Sequence, residues 1–439
     1  FFSASCSCDA RSGPLHLRCV PVEAVAGSLL AGAAQPSTAP ATPTAAWTPS
    51  SSDPPDLAPG GPMPTIPTDC PRQGLFYNAA VGFSYVFFLW LINLFGSVFM
   101  MAPALPLLLV APALFRHWTD FCFYWGIFFS AFVLDVVWGV RIVVTGDAFR
   151  PERLISLVNH RTNFDWLYYW SFLAQYGGLS KIKIVLKGAL KKAYGFSWVG
   201  QFSAFAYITR KFETDKPILH RLLTLYCTIP EYPYHFLLFP EGTDLNPRSK
   251  ASSDRWAEKN GLPLWDYVLH PRTTGLNYCL EVVRARSGID AIYDVTVGYL
   301  DGPVVSKLGI IKGQPPREVH IHIRRYPIAQ VPTEAADIEK WCEQMWSEKE
   351  PMLERFYEDK QFPGPQQRPN PYHTALCLLA ALYWAVFIPG CIYGVYACRA
   401  VRLWFFVCSA LCAYFTHTSG LESLELKAWN IRGPPKPKD

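Results

Sequence analysis

Charge is what this sequence has least of. Only 17% of its 439 residues are Asp, Glu, Lys or Arg, against about 25% in soluble domains, and the deficit points toward lipid. No C-x-x-C pair occurs among the 13 cysteines, and their number is odd. A disulfide framework is therefore not expected, and free thiols are. Several of them lie in apolar runs, as suits a membrane protein whose soluble part faces the cytosol. An excess of either charge sign is also missing. The net charge of +5 is not the footprint of a nucleic-acid binder. No internal repeat is visible. Nor is a secretory leader: the apolar patch at 24–34 is short and has no basic start. Phe1 rather than Met opens the sequence, as in a fragment or an extended gene model.

What is present is apolar and aromatic. Half of the chain is hydrophobic and 15% aromatic, with 38 prolines and a mean hydropathy of +0.11. Residues 1–70 are rich in Ala, Pro, Ser and Thr, and 12 of them are proline, so a disordered segment is expected there. Cys6 and Cys8 within it are too sparse for a metal or lipidation motif. Residues 75–145 read as an N-terminal membrane hairpin with apolar runs at 79–101 and 121–144, each meeting the roughly 20 residues that a span needs. Between them Pro103, Pro106 and Pro112 predict a bend at the membrane surface or a re-entrant piece. Asp135 lies in the second run and should face protein or the end of the span.

Residues 146–362 mix charges, turns and short strands. Strands are expected at 154–158, 182–186, 236–239, 295–299 and 319–323, with helices at 166–175 and 338–345 between them. That alternation argues an α/β domain. A Pro-rich linker (363–371) leads to a C-terminal membrane hairpin (372–419), with runs at 374–397 and 401–416, and a polar tail (420–439).

Three clusters carry candidate chemistry. The strand at 154–158 ends in Asn159-His160-Arg161-Thr162-Asn163-Phe164-Asp165-Trp166, putting His160 at a strand end and Asp165 at a helix start. A short loop can then fold the carboxylate back onto the imidazole and make His160 a general base. Alone, the same residues read as a turn cap and a helix cap. Phe239-Pro240-Glu241-Gly242-Thr243-Asp244 follows another strand, where Gly242 admits close backbone approach to a ligand. Tyr207-Ile208-Thr209-Arg210 delivers an arginine suited to phosphate. Taken singly, the first of these two is an ordinary turn and the second a solvated strand-end charge.

In order and behind an apolar hairpin, the three clusters resemble the glycerophospholipid acyltransferase family (PlsC-like, 1-acylglycerol-3-phosphate acyltransferases). The resemblance covers roughly residues 75–360. The finer match is to its lysocardiolipin acyltransferase branch, through residues 159–166 (N-H-R-T-N-F-D-W), 239–245 (F-P-E-G-T-D-L), 257–262 (A-E-K-N-G-L) and 268–275 (V-L-H-P-R-T-T-G). The resemblance implies a membrane-anchored α/β acyltransferase domain, a mixed sheet flanked by helices, between N-terminal and C-terminal transmembrane helical hairpins. It implies His160 as base and Asp165 as its orienting acid. Acceptor-phosphate binding would fall to Lys187, Arg210, Glu241, Gly242 and Thr243. Val295-Thr296-Val297 stands where the family has V-P-V. The implied donor is acyl-CoA as co-substrate, with no cofactor. The implied acceptor is a lysophospholipid: lysocardiolipin, lysophosphatidylglycerol or lysophosphatidylinositol, with lysophosphatidate as the alternative. The implied place is the endoplasmic reticulum, including its contacts with mitochondria, with the catalytic domain cytosol-facing among membrane lipids. A catalytically silent lipid-binding protein on the same fold and a channel or transporter are the rivals from other classes.

Other features read as structural. His320 and His322 alternate with Val319, Ile321 and Ile323, predicting two imidazoles on the polar face of a strand and no metal site. The basic stretch 181–192 reads as a solvated face able to hold anionic headgroups. Arg272, in the 268–275 string, is a structural or ligand contact. Departures from the family pattern also include Ala204 and Tyr194, but Asp244 is the informative one, since lysophosphatidate enzymes carry arginine after E-G-T. An anion there disfavours a phosphate monoester more than a diester. Transfer to diester lysophospholipids should therefore outrun transfer to lysophosphatidate in a competition assay; the reverse order against every diester would remove this role for Asp244.

Overall fold

The computed structural model describes residues 79–177, 181–300 and 309–433. The expectations for residues 1–70 fall outside them. The first apolar run forms α1 (Ala79–Gly96), which continues through a π turn (Ser97–Met101) and a 3-10 turn (Ala102–Ala104) to the short α2 (Leu107–Val110). Pro103 and Pro106 remove backbone donors where the ladder loses its regularity. The bend carries Leu109 and Val110 outward at 87% and 80% exposure. Pro112 then opens α3 (Pro112–Ala131), which ends in a π turn (Phe132–Val137). The second span thus starts before the expected 121 and stops before 144. Residues 141–146 leave the membrane hairpin and join the sheet as β1 (Arg141–Gly146), because a buried strand and a spanning helix share the same apolar composition.

The sheet continues in chain order through β2 (Leu154–Val158), α4 (Asp165–Phe172), β3 (Lys181–Lys187), α5 (Phe196–Phe202), β4 (Ala206–Ile208), α6 (Phe212–Thr228) and β5 (Tyr234–Leu238). It is completed by α7 (Pro247–Asn260), α8 (Thr274–Arg284), β6 (Ala291–Tyr299), β7 (Glu318–Pro327) and α9 (Ala335–Asp359). Its strand order is β1-β7-β6-β2-β5-β3-β4, with every neighbour parallel except β6 and β7. It is the expected mixed sheet. All five residues of β2 and all nine of β6 are buried, as strands covered on both faces must be.

The two faces carry different cores. On one, Leu167, Phe172 and Trp198 pack with Ile92, Phe123 and Ile127 of the apolar helices. On the other, Leu222, Tyr226, Leu280 and Trp346 of α6, α8 and α9 close over Ile155 and Phe236. The C-terminal runs form α10 (His373–Ala397) and α11 (Arg399–His417). Among the described residues, four helical stretches of 32, 26, 25 and 19 residues are long and apolar enough to cross a membrane; at about 1.5 Å per residue even the shortest approaches the hydrocarbon thickness. The Trp384 indole donates to Trp125 O at 3.0 Å, tying the C-terminal pair to α3.

Polar groups join these layers. Asp135 faces protein, accepting from Ser171 Oγ at 2.6 Å, Gln175 Nε2 at 3.1 Å and His373 Nε2 at 2.9 Å. Lys183 is buried against Asp120 at 2.7 Å, so the 181–192 stretch is not wholly a solvated face. Residues expected as a polar tail instead include α12 (Glu422–Ala428), docked by Glu422 on Lys191 at 2.6 Å and by Glu425 on Arg116. Its acids are buried because each meets a cation far away in sequence. His320 and His322 also depart from expectation. Their face lies under Phe356 and Phe362 rather than in solvent, and their polar partners are Glu318 and Thr145.

Asp294 of β6 and Lys349 of α9 meet at 2.5 Å with both side chains at 0% exposure. Lys349 also donates to Val295 O at 2.8 Å and to Thr296 Oγ1 at 3.1 Å, so the threonine in place of the family proline receives a buried cation. Replacing Asp294 by Asn leaves that cation without its counter-charge, at a cost of about 3–5 kcal/mol. Thermal unfolding of the solubilised chain should show the drop, and adding Lys349→Met should return part of it; an unchanged melting temperature in Asp294→Asn contradicts this role.

Candidate active site

β2 ends at Val158, and the next residue fixes how the chain leaves the sheet. Asn159 Nδ2 donates to Val297 O at 3.0 Å, and its Oδ1 accepts from Val297 N at 2.7 Å. A side chain thus continues the β2–β6 pairing where the backbone turns away. His160 follows, and α4 begins five residues later with Asp165. The Asp165 carboxylate accepts from His160 Nδ1 at 2.8 Å, Arg161 N at 2.7 Å and Thr162 N at 3.1 Å. Its other oxygen accepts from the Tyr299 hydroxyl. The same carboxylate therefore shapes the turn and holds the imidazole, and the capping reading and the chemical reading coincide.

With Nδ1 engaged, Nε2 is the basic nitrogen of His160. The ring stacks on Phe239 with centroids 4.4 Å apart, and its side chain keeps 16% exposure. Burial works against the imidazolium, but Asp165 first, then Glu241 and Asp244, outweigh it and raise the pKa above the usual histidine value. Such a ring can take a proton from a hydroxyl placed at Nε2.

The loop after β5 grips the His160 backbone from both sides. Glu241 Oε1 accepts from His160 N at 3.2 Å, and Leu245 N donates to His160 O at 2.8 Å. Glu241 also accepts from the Trp346 indole at 3.2 Å, and burial pushes its carboxyl up to about 7. Both of these bonds fall on Oε1, while Oε2 is buried without a hydrogen-bond partner among the described residues. Gly242 stands at φ +72°, in the left-handed region that glycine favours. Thr243 is half-buried beside it.

Lys187 ends β3 and is exposed, in register with Ile208 of β4. Arg210 lies two residues beyond Ile208, exposed at φ +65°. Its turn wraps Asp215, which accepts from Thr209 N at 2.7 Å and Lys211 N at 3.1 Å. All the expected site residues therefore gather along the C-terminal edge of the parallel strands β2, β5, β3 and β4, where ligands bind in open α/β sheets. The outermost cation, Arg210, springs from a strand three spacings from that of His160, about 14 Å away. Sequence reading passed over Tyr299, Trp346 and the Asn159 tether. The one available signal was that Tyr299 closes the strand that carries Val295-Thr296-Val297.

The pattern of the family described as Acyltransferase matches residues 141–299, and that of the Acyltransferase C-terminus matches residues 309–384. The lysocardiolipin acyltransferase 1 of Danio rerio is 38% identical over 383 residues, covering 81% of this chain and 98% of the relative. That of Gallus gallus is 41% identical over 357 residues, with 79% and 93% covered. The lysophosphatidylinositol acyltransferase 10 of Caenorhabditis elegans is 33% identical, with 77% and 89% covered.

Since a neutral His160 is the form that accepts a proton, its raised pKa places the acid limb of the pH–rate profile above the ordinary histidine value of about 6.5. Asp165→Asn removes the charge that raises it. Acyl transfer should fall by about 10²–10⁴-fold, and the limb should move to lower pH. A profile left in place at full rate would show that Asp165 does not act on His160.

Proposed function

From the premise that the chain belongs to the acyltransferase family that includes the lysocardiolipin acyltransferases, we propose that it re-acylates lysophospholipids from acyl-CoA, with His160 as general base. The observation that carries this is the His160–Asp165 pair, with Nδ1 tied down and the ring still reachable. Nε2 takes the proton of the acceptor hydroxyl as its oxygen attacks the thioester carbonyl. The tetrahedral intermediate then collapses, the C–S bond breaks, and the imidazolium returns the proton to the departing CoA sulfur. The products are the acceptor lipid carrying one more acyl ester and free CoA. The acceptor itself is the nucleophile, so no acyl-enzyme forms, and no metal or prosthetic group takes part.

Gly242 and Thr243 lie next to the base, and Lys187 and Arg210 are exposed cations on neighbouring strand ends. In this reading they hold the acceptor phosphate, while Glu241 holds the loop. The acceptor is a phosphodiester, a preference supported by Asp244 and by the relatives named for lysocardiolipin and lysophosphatidylinositol. Both lipids reach the site at bilayer level between the helical hairpins. The catalytic domain faces the cytosol, where acyl-CoA is found, on the endoplasmic reticulum and its mitochondrial contacts.

Purified wild type should transfer labelled oleate from oleoyl-CoA to lysocardiolipin, lysophosphatidylglycerol or lysophosphatidylinositol. His160→Ala should lose about 10²–10⁴-fold of that rate. A His160→Ala variant at the wild-type rate refutes the base. Folded, inserted wild type that transfers to no acceptor returns the chain to lipid binding without turnover.

A further inference from the structure

The turn after β5 brings no cation of its own to the base. Glu241 is buried and engaged, and Asp244 is an acid, 92% buried by its 8% exposure, whose carboxylate lies 3.4 Å from the Asn246 amide. A cation arrives instead from a different segment. Arg272 N donates to Pro240 O at 2.8 Å, seating the 268–275 strand of sequence on the Glu241-Gly242-Thr243 turn. Pro271 and Thr273 on either side are buried while Arg272 is exposed, so the backbone is held and the side chain is presented. A Cβ placed on Gly242 would lie 3.7 Å from Arg272 Cδ and 4.0 Å from its Nε. The arginine thus lies alongside the bare Cα of Gly242, one residue from the carboxylate that binds the His160 backbone. No carboxylate pairs with its guanidinium among the described residues.

We propose that Arg272 binds the acceptor phosphate beside His160, supplying from a separate loop the charge that the turn itself does not carry. This rests on the lysophospholipid reading above. In a lysophospholipid the phosphate ester and the reacting hydroxyl sit on the same glycerol with at most one carbon between those that bear them, so a phosphate partner must stand close to the base. Arg272 reaches over the turn nearest His160. Lys187 and Arg210 spring from β3 and β4, about 5 and 10 Å farther along the edge than β5, and approach the same phosphate from that side. A guanidinium offers a phosphodiester two parallel donors and tolerates its single charge.

The test varies each substrate separately for wild type, Arg272→Ala and Arg272→Lys, using the full chain in detergent or liposomes. With lysophosphatidylglycerol as acceptor, Arg272→Ala should raise the acceptor KM by about 10- to 100-fold and leave the KM for oleoyl-CoA unchanged. Arg272→Lys should recover part of the loss, since it keeps the charge without the fork. With a 1-acylglycerol, which has no phosphate, the two proteins should not differ. An unchanged acceptor KM in Arg272→Ala, or a rise confined to oleoyl-CoA, overturns the proposal. If wild type transfers to no lysophospholipid, the enzymatic reading fails separately. Direct binding of lysophosphatidylglycerol then decides for Arg272: weaker binding by Arg272→Ala sustains it, and equal binding overturns it.

Discussion

One buried carboxylate organises this site. Asp165 stands at 3% exposure with donors from two backbone amides, an imidazole and a phenol directed at it. A carboxylate out of water is tolerable only when its lone pairs are filled by hydrogen bonds, and here filling them requires the loop from His160 to Phe164 to take one shape. The acid therefore sets the loop before it sets the chemistry. It also ties three elements together: β2 through His160, α4 by its own position at the helix start, and β6 through Tyr299. His160 is held twice more, since the turn after β5 binds both the N–H and the carbonyl of its backbone.

The rest of the fold sets this site between two kinds of layer. The sheet has α6, α8 and α9 on one face and the apolar helices on the other. The layers are joined by charge as well as by packing. Asp135 collects Ser171, Gln175 and His373, linking the first hairpin, α4 and the start of the second hairpin. Asp120 joins α3 to Lys183 of the sheet. Glu422 and Glu425 fasten the segment after the last span to Lys191 and Arg116. These contacts tie the long apolar helices to the sheet that carries the His160–Asp165 pair.

Much of this was legible in the residues. β2 has the bounds its apolar run predicts, and His160 and Asp165 meet as their strand-end and helix-start positions suggest. The position of Arg210 followed from a short apolar strand ending in a cation, and that of Lys187 from the family resemblance. The illegible parts share a physical cause, namely contacts between residues far apart in sequence. β1 was hidden in the second apolar run because burial by lipid and burial by protein select the same side chains. The docking of α12 depends on acids that look solvated until Lys191 and Arg116 arrive. His320 and His322 alternate like a polar face, but Phe356 and Phe362 cover it. Glu241 carries the family motif yet spends one carboxylate oxygen on a backbone amide and an indole, a use that no spacing reveals. Arg272 becomes informative only when it is seen against the bare Cα of Gly242.

The proposed mechanism stands on direct attack by the acceptor hydroxyl, deprotonated at His160, on the bound thioester. Two-substrate steady-state kinetics tests it most directly, with oleoyl-CoA and a lysophospholipid varied against each other. Transfer within a ternary complex predicts reciprocal plots that intersect, and no release of CoA when the acceptor is left out. Parallel plots with a burst of CoA release before acceptor is added would mean that an acyl-enzyme carries the chain, and would contradict the account.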